Sequence, residues 1–248
     1  FVPNGATIDL VVVHGGPSCP RFEEDATRFL ADHGDVAHVL VRGEGERTVC
    51  ELLAALADND MGVDAAVLGD IAGLTFRDRT SGEVVRTADR ERSAVLDEYV
   101  SPYLNGEFDH VTFPTWVAAI ETNRGCPYRC SFCDWGSATN SRIRKFGLER
   151  IEAEIDWIGR RGIQAIMITD ANFGIFARDV EIAEHIAEVR ARTGAPSYVV
   201  WTPAKNTTKY LLPILEILKG AGIVSTMSLS MQTFDDTTLE AIDRSNMA

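Results

Sequence analysis

The chain has 248 residues, 45% of them hydrophobic and 25% charged, with a formal net charge of −13. That is globular composition, sufficient for one large domain or two modest ones, and its acidity excludes an electrostatic grip on nucleic acid. No apolar run approaches the ~20 residues of a membrane span and no charged segment opens a secretory leader, so neither membrane insertion nor export is expected.

Five cysteines, three of them within 126–133, are too few and too clustered for a disulfide scaffold. They read as a metal site in a reducing, cytoplasmic compartment. The chain opens on Phe1 rather than Met, so an earlier segment is expected. Residues 1–115 hold 9 Lys and Arg against 21 Asp and Glu, and residues 116–248 hold 15 against 16. The step falls at Phe113-Pro114-Thr115 and sets a domain boundary near 115.

Along the first half, Ile8–Val13 predicts a buried parallel strand ending at the turn Gly15-Gly16-Pro17. Arg21–Asp32 has helical composition. Val36–Val41 predicts a second strand, ending at Gly43-Glu44-Gly45-Glu46. Thr48 is the expected cap of the next helix, in which Val49, Leu52, Leu53 and Leu56 keep the spacing of one buried face. Val63–Leu68 reads as a further short strand. Strand and helix alternating with glycine turns is the pattern of an open α/β sheet, whose ligand crevice lies at the strand ends. The same turns also serve a sheet with no ligand. Residues 71–115 read as a connector, a small hairpin over Ile71–Val85 followed by extended chain.

The second half opens with a strand over Val117–Thr122. An amphipathic helix follows, marked by Leu148, Ile151, Ile155 and Ile158 and stopping at Gly162. Then come a strand at Ile163–Thr169, a helix at Arg178–Thr193, a strand at Ser197–Thr202 and a helix over 208–219 that Pro213 bends or shortens. A strand at Ile223–Met231 and a helix at Asp235–Arg244 close the chain. Successive βα units imply a parallel sheet with right-handed crossovers, curving toward a barrel. A complete eightfold barrel takes about 250 residues. Only 133 lie from 116 onward, so the barrel is partial or truncated.

Residues Arg124-Gly125-Cys126-Pro127-Tyr128-Arg129-Cys130-Ser131-Phe132-Cys133 carry the spacing C-x-x-x-C-x-x-C. Three thiolates on one loop can hold three irons of a 4Fe–4S cluster and leave the fourth open. Redox-active thiols, or a zinc ion completed by a distant ligand, also use cysteines in such groups. Trp135 either lines a cavity beside this loop or covers it. Arg124, Arg129, Arg142, Arg144 and Lys145 make the loop basic, which suits an anionic group and equally a solvated surface.

The spacing, the Arg-Gly-Cys-Pro lead and the aromatic Phe132 before the last cysteine resemble the radical S-adenosylmethionine superfamily. In that family this loop follows the first strand of a partial βα barrel. The resemblance implies that Cys126, Cys130 and Cys133 are the cluster ligands and that Phe132 packs near the adenine of S-adenosylmethionine. The open iron would chelate that cofactor, and one electron would cleave it to methionine and a 5′-deoxyadenosyl radical. Asp170-Ala171-Asn172-Phe173 is similar to a second-strand segment of cobalamin-type members. There Asp170 would accept from the methionine ammonium, with Asn172 as a further contact. Ser228–Asp236 resembles the fourth strand end, where Gln232 would face the cofactor.

In this light the first half is similar to the late strands of a Rossmann-like cobalamin-binding domain. Gly15, Gly16 and Pro17, with Gly43, Glu44 and Gly45, would lie against the cobalamin tail, which only glycine lets the backbone approach closely. The expected fold class is α/β: an incomplete Rossmann-like cobalamin-binding domain over 1–70, a connector over 71–115, and a truncated parallel βα TIM-like barrel over 116–248. His14 reads as a strand-end histidine, and Cys19 and Cys50 as unliganded thiols.

The family resemblance implies an enzyme using a 4Fe–4S cluster, S-adenosylmethionine and cobalamin. Its expected reaction is methyl transfer to an unactivated carbon of a small-molecule substrate. Its electrons would come from a reducing system such as flavodoxin or ferredoxin. The alternatives are a radical enzyme without cobalamin, either methylthiotransferase-like or a radical cyclase or rrearrangement enzyme, and an iron–sulfur electron carrier.

Overall fold

The computed structural model describes residues 10–34, 36–112, 116–133, 142–205, 208–244 and 246. The chain divides into two compact units, one up to Ser93 and the other from Ala94 onward. Among the described residues, no helix is long and apolar enough to cross a membrane.

The first unit is built on a mixed sheet. Strands β1 (Val13–His14) and β2 (Val39–Val41) are parallel neighbours, joined through helix α1 (Glu23–His33). All of β2 is buried, as expected of a β-branched central strand. Ala26 and Leu30, one turn apart on α1, pack with Leu40. Helix α2 (Gly45–Asp58) buries Thr48, Leu52 and Leu56.

Two expectations for α2 fail. Leu53 is 56% exposed, because it lies about 100° around the helix from Leu52, outside the stripe that Thr48, Leu52 and Leu56 bury. Thr48 is no cap: the helix begins three residues earlier, and the buried Thr48 hydroxyl donates to Ala72 O and accepts from Arg90 Nε.

Nor is 63–68 a strand. Ala65–Leu68 forms a one-turn helix, α3, whose first N–H donates to Asp78 Oδ1 at 2.8 Å. A short apolar run carries no period that separates the two states, and two alanines tip it to helix. The hairpin forms as expected. Strands β3 (Leu74–Arg77) and β4 (Val84–Arg86) pair antiparallel, and β3 also lies antiparallel to β2, giving the order β1-β2-β3-β4. The hairpin of the expected connector is therefore part of the first sheet. Arg42, at the end of β2, is almost fully buried and joins these strands through Leu74 O, Thr75 Oγ1 and Thr87 O, with Asp89 closing the group.

The second unit opens with a 3-10 turn at Leu96–Glu98, whose Asp97 accepts from the backbone N–H of Gly147. Its main sheet has four parallel strands in chain order. They are β5 (Val117–Ile120), β8 (Ala165–Ile168), β9 (Tyr198–Trp201) and β10 (Val224–Met227). Between the first two lies a ribbon of β6 (Asn123–Arg124) and β7 (Arg144–Lys145). Helices α4 (Leu148–Arg160), α5 (Arg178–Thr193) and α6 (Leu211–Gly220) follow their strands, and α7 (Asp236–Ala241) ends the series. Pro213 stands in the first turn of α6, where its missing N–H has no intrahelical partner to lose.

Residues alternate along each strand. Ala118, Ile120, Ile166, Ile168, Val199 and Trp201 are buried under the helices, with Ile155, Ile158, Ile182, Ile186 and Ile214. Their neighbours Val117, Met167 and Val224 are exposed on the opposite face. Parallel strands in sequential order with helices on one face form the wall of a partial βα barrel. A doubly wound sheet would carry helices on both faces.

Candidate functional site

The cysteine loop leaves from the C-terminal end of β5. The ribbon of β6 and β7 closes its base, a feature that no periodicity in the sequence signals. Gly125, at φ +112, turns the chain into Cys126 in a conformation that a side chain would strain. Cys130 is buried, Cys126 and Cys133 are partly buried, and none forms a disulfide. The Cys133 N–H donates to Cys130 O, making a tight turn of the second half of the motif. Among the described residues, no three Cys, His, Asp or Glu side chains converge as a single-ion site.

The end of β8 holds the loop in place. Parallel pairing sets Ile120 beside Ile168, and the same register brings Thr122 and Asn123 to Asp170. Asp170 Oδ1 accepts from the backbone N–H groups of Thr122 at 2.7 Å and Asn123 at 3.2 Å. Its Oδ2 accepts from the Thr122 hydroxyl and, at 2.6 Å, from Asn123 Nδ2. All four lone-pair directions of the carboxylate are thus taken by its own chain. Burial pushes the carboxyl up to about 7, while the bonds from Thr122 and Asn123 pull it down.

Asn172, two residues on, is 1% exposed, and its Nδ2 donates to Cys126 Sγ at 3.3 Å. Its Oδ1 is buried with no partner. Phe173 anchors the segment: it exchanges backbone hydrogen bonds with Thr202 and Ala204 and meets the Trp201 ring edge-on. Asp179, at the start of α5, accepts from the Gly174 and Phe176 N–H groups and fixes the following turn. The Asp-x-Asn-Phe segment is therefore divided by task. Asp170 grips the root of the loop, Asn172 reaches a cysteine, and Phe173 fastens both to the core.

The far side of the loop rests on α7. Ser131 N–H donates to Ile242 O, and Arg129 faces Asp243 at 3.7 Å. Arg244 brings Nη1 to 3.8 Å from Cys130 Sγ, bonds Ser230 O, and lies over the Phe132 ring. A cavity of about 400 Å³ opens here, lined in part by Tyr128, Cys130, Lys205 and Arg244.

The other basic residues serve the flanks of the loop. Arg124 pairs with Glu121 and stacks on Tyr99 and Phe146, and Lys145 caps the Phe176 ring. Phe132 is 47% exposed. Gln232 is exposed too, in the left-handed region at φ +63. Trp135 lies outside the described residues. Thr122, Asn123 and Arg244 were not legible as site residues. The first two are polar groups at a strand end, a usable signal, and Arg244 has none.

In the first unit, Gly15-Gly16-Pro17 and Gly43-Glu44-Gly45 follow the parallel ends of β1 and β2. Gly16 and Gly43 stand at φ +78 and +75, and a Cβ on either would meet open space. A Cβ on Gly15 or Gly45 would instead touch Val41. His14 stacks on Phe29, consistent with a strand-end histidine.

Three cysteine sulfurs on one loop, two of them facing N–H donors, are a ligand set that fits iron. The chain is 40% identical over 245 residues to 2-(S-pantetheinyl)-carbapenam-3-carboxylate methyltransferase of Streptantibioticus cattleyicolor, covering 96% of this chain and 34% of that protein. It is equally similar, with the same coverage, to the cobalamin-dependent radical SAM methyltransferase TokK of Streptomyces tokunonensis. The chain thus spans about a third of the length of these relatives. Among solved structures, the cobalamin-dependent S-adenosylmethionine radical enzyme OxsB superposes with a TM-score of 0.61 at 18% identity, over 96% of this chain and 33% of that one. The sequence profile of the Radical SAM superfamily matches residues 120–247, from the end of β5 through α7, and the chain belongs to that superfamily.

Proposed function

We propose that the intact protein is a cobalamin-dependent radical S-adenosylmethionine methyltransferase acting on an unactivated carbon of a small molecule. The observation that carries this reading is the three-cysteine loop, gripped by Asp170 and Asn172, in a chain 40% identical to two methyltransferases. A pantetheinyl carbapenam carboxylate, named in one of those relatives, is the first substrate to try. When bound, the cluster and S-adenosylmethionine supply a 5′-deoxyadenosyl radical, and cobalamin carries the methyl group.

Cys126, Cys130 and Cys133 hold the cluster as its thiolate ligands. Asn172 Oδ1, a buried acceptor without a partner, receives the cofactor's ammonium, with Asp170 behind it as a positioning residue. Phe132 offers an exposed ring to the adenine, and Gln232 stands at the fourth strand end. Gly15, Gly16, Pro17, Gly43, Glu44 and Gly45 line the cobalamin crevice. An external reductant such as flavodoxin or ferredoxin supplies the electrons.

Anaerobic reconstitution with iron, sulfide and hydroxocobalamin tests the reading. The loaded protein cleaves S-adenosylmethionine to 5′-deoxyadenosine under dithionite and shows the visible spectrum of bound cobalamin. A cluster with no deoxyadenosine formed returns the electron-carrier alternative. Deoxyadenosine without bound cobalamin returns the radical enzyme that lacks it.

The crevice has its own test. Gly16→Asn and Gly43→Asn place a side chain in open space while using a residue that tolerates the left-handed region. Each weakens cobalamin binding by about tenfold, the effect of a ~1.4 kcal/mol obstruction, and leaves the cluster absorption intact. Equilibrium titration of cobalamin measures it; unchanged affinity in both variants removes these turns from the crevice.

A further inference from the structure

We infer that Asn172 sets the reduction potential of the cluster by donating its side-chain N–H to the sulfur of Cys126. The inference rests on the reading of Cys126 as a cluster ligand. A thiolate bound to iron only accepts hydrogen bonds, so the amide must turn Nδ2 toward it and Oδ1 away. That is the arrangement found, with Nδ2 3.3 Å from Sγ and Oδ1 directed elsewhere.

The donor is preorganised. Asn172 is 1% exposed, and its neighbours hold it from both sides. Asp170 is bound to Thr122 and Asn123, and Phe173 to Thr202 and Ala204. These bonds fix the backbone on either side of Asn172, and its burial keeps the amide out of solvent. Away from water, its hydrogen bond to sulfur is also electrostatically stronger than it would be at the surface.

The direction of the effect follows from charge. When the cluster takes one electron from an external reductant, with no proton moved, negative charge on its thiolate sulfurs grows. A fixed N–H donor then stabilises the reduced state more than the oxidised state and makes the cluster easier to reduce. Arg244 faces Cys130 at the longer distance of 3.8 Å and remains in place when Asn172 is changed.

The test uses the intact protein, reconstituted anaerobically, as wild type, Asn172→Leu and Asn172→Ala, all without S-adenosylmethionine. Iron and sulfide analysis comes first. The cluster is then poised with dithionite and mediators, and the reduced fraction is read by electron paramagnetic resonance. Asn172→Leu matches the shape of the side chain and removes the donor. It keeps the iron, sulfide and visible band, and at the wild-type midpoint its ratio of reduced to oxidised cluster falls about tenfold, a shift of about 59 mV to more negative potential.

Asn172→Ala shifts the same way by less, because a water admitted to the vacated space donates to the sulfur in its turn. A full cluster with an unchanged or more positive midpoint in Asn172→Leu overturns the inference. Loss of the cluster from both variants also overturns it, making Asn172 a residue of assembly rather than of potential. A wild-type protein that binds no cluster defeats the underlying reading instead, and the iron analysis registers that before any potential is set.

Discussion

Cys126→Ala, Cys130→Ala and Cys133→Ala each leave the anaerobically reconstituted protein without the about four iron and four sulfide that the wild type holds. The effect is all or none because the loop offers three sulfurs for a cluster that uses all three. The turn joining Cys130 to Cys133 and the Ser131 N–H bond to Ile242 O are made by the backbone and persist in the variants. The loss therefore reports a missing ligand and leaves the loop in place. Deoxyadenosine formation disappears with the cluster. Cys19→Ala and Cys50→Ala keep both. Cys19 is a partly buried thiol whose pKa burial raises, and Cys50 is exposed on α2; both belong to the first unit. Iron and sulfide assays with the visible spectrum decide the matter, and a cluster that vanished with Cys50 would overturn the ligand assignment.

Asp170→Ala costs the second unit several kcal/mol, because each buried donor left without an acceptor costs about 1–3 kcal/mol. The substitution strands four donors, the Thr122 and Asn123 N–H groups, the Thr122 hydroxyl and the Asn123 amide, in a place that is 2% exposed. Such a loss is a large part of the roughly 5–15 kcal/mol that holds a domain folded. It also frees the root of the cysteine loop, so cluster loading falls with it. Asp170→Asn keeps the shape and sets one amide N–H against a donor, for a smaller loss of about 1–3 kcal/mol. Urea unfolding followed by circular dichroism gives both values.

The same carboxyl predicts a dependence on pH. Its native pKa of about 7 lies above the ~3.9 of an unfolded aspartate, so the native state binds the proton more tightly. The stability it contributes is complete below about pH 4, is lost as pH rises toward about 7, and stays level beyond. The unfolding midpoint of the wild type therefore falls between pH 5 and pH 8, and the Asp170→Asn variant falls less over that interval. Burial raises the Asp179 carboxyl as well, adding a slope of the same sign that the variant retains, so the difference between the two proteins isolates Asp170. Equal slopes in both would remove the assignment.

Much of the second unit was legible because its signals are local. The helix expected over Arg178–Thr193 has those bounds in the structure. The strands around Ile166, Val199 and Thr226 follow from β-branched runs between helices, although each is shorter than its apolar run. Pairing ends where chains turn away, and the run does not record that point. In the first unit the hairpin was legible, while Val63–Leu68 was not, since a short apolar run fits helix and strand alike. The failure at Leu53 has a different cause. Apolar spacing marks a candidate face, and the neighbour on that face decides its width.

The sequence by itself determined the cysteine loop, its place after a strand, and the succession of βα units that follows, because each is written in residues close together in the chain. Only the tertiary structure decided what holds the loop. Thr122 meets Asp170 across 48 positions and Cys126 meets Asn172 across 46, separations at which no periodicity speaks. The parallel register that sets Ile120 beside Ile168 carries Thr122 to Asp170, and that register comes from burying Ala118, Ile120, Ile166 and Ile168 together under the helices. A slip of one residue would turn every one of those side chains to the open face, so packing of the core fixes which carboxylate grips the loop and which amide reaches its sulfur.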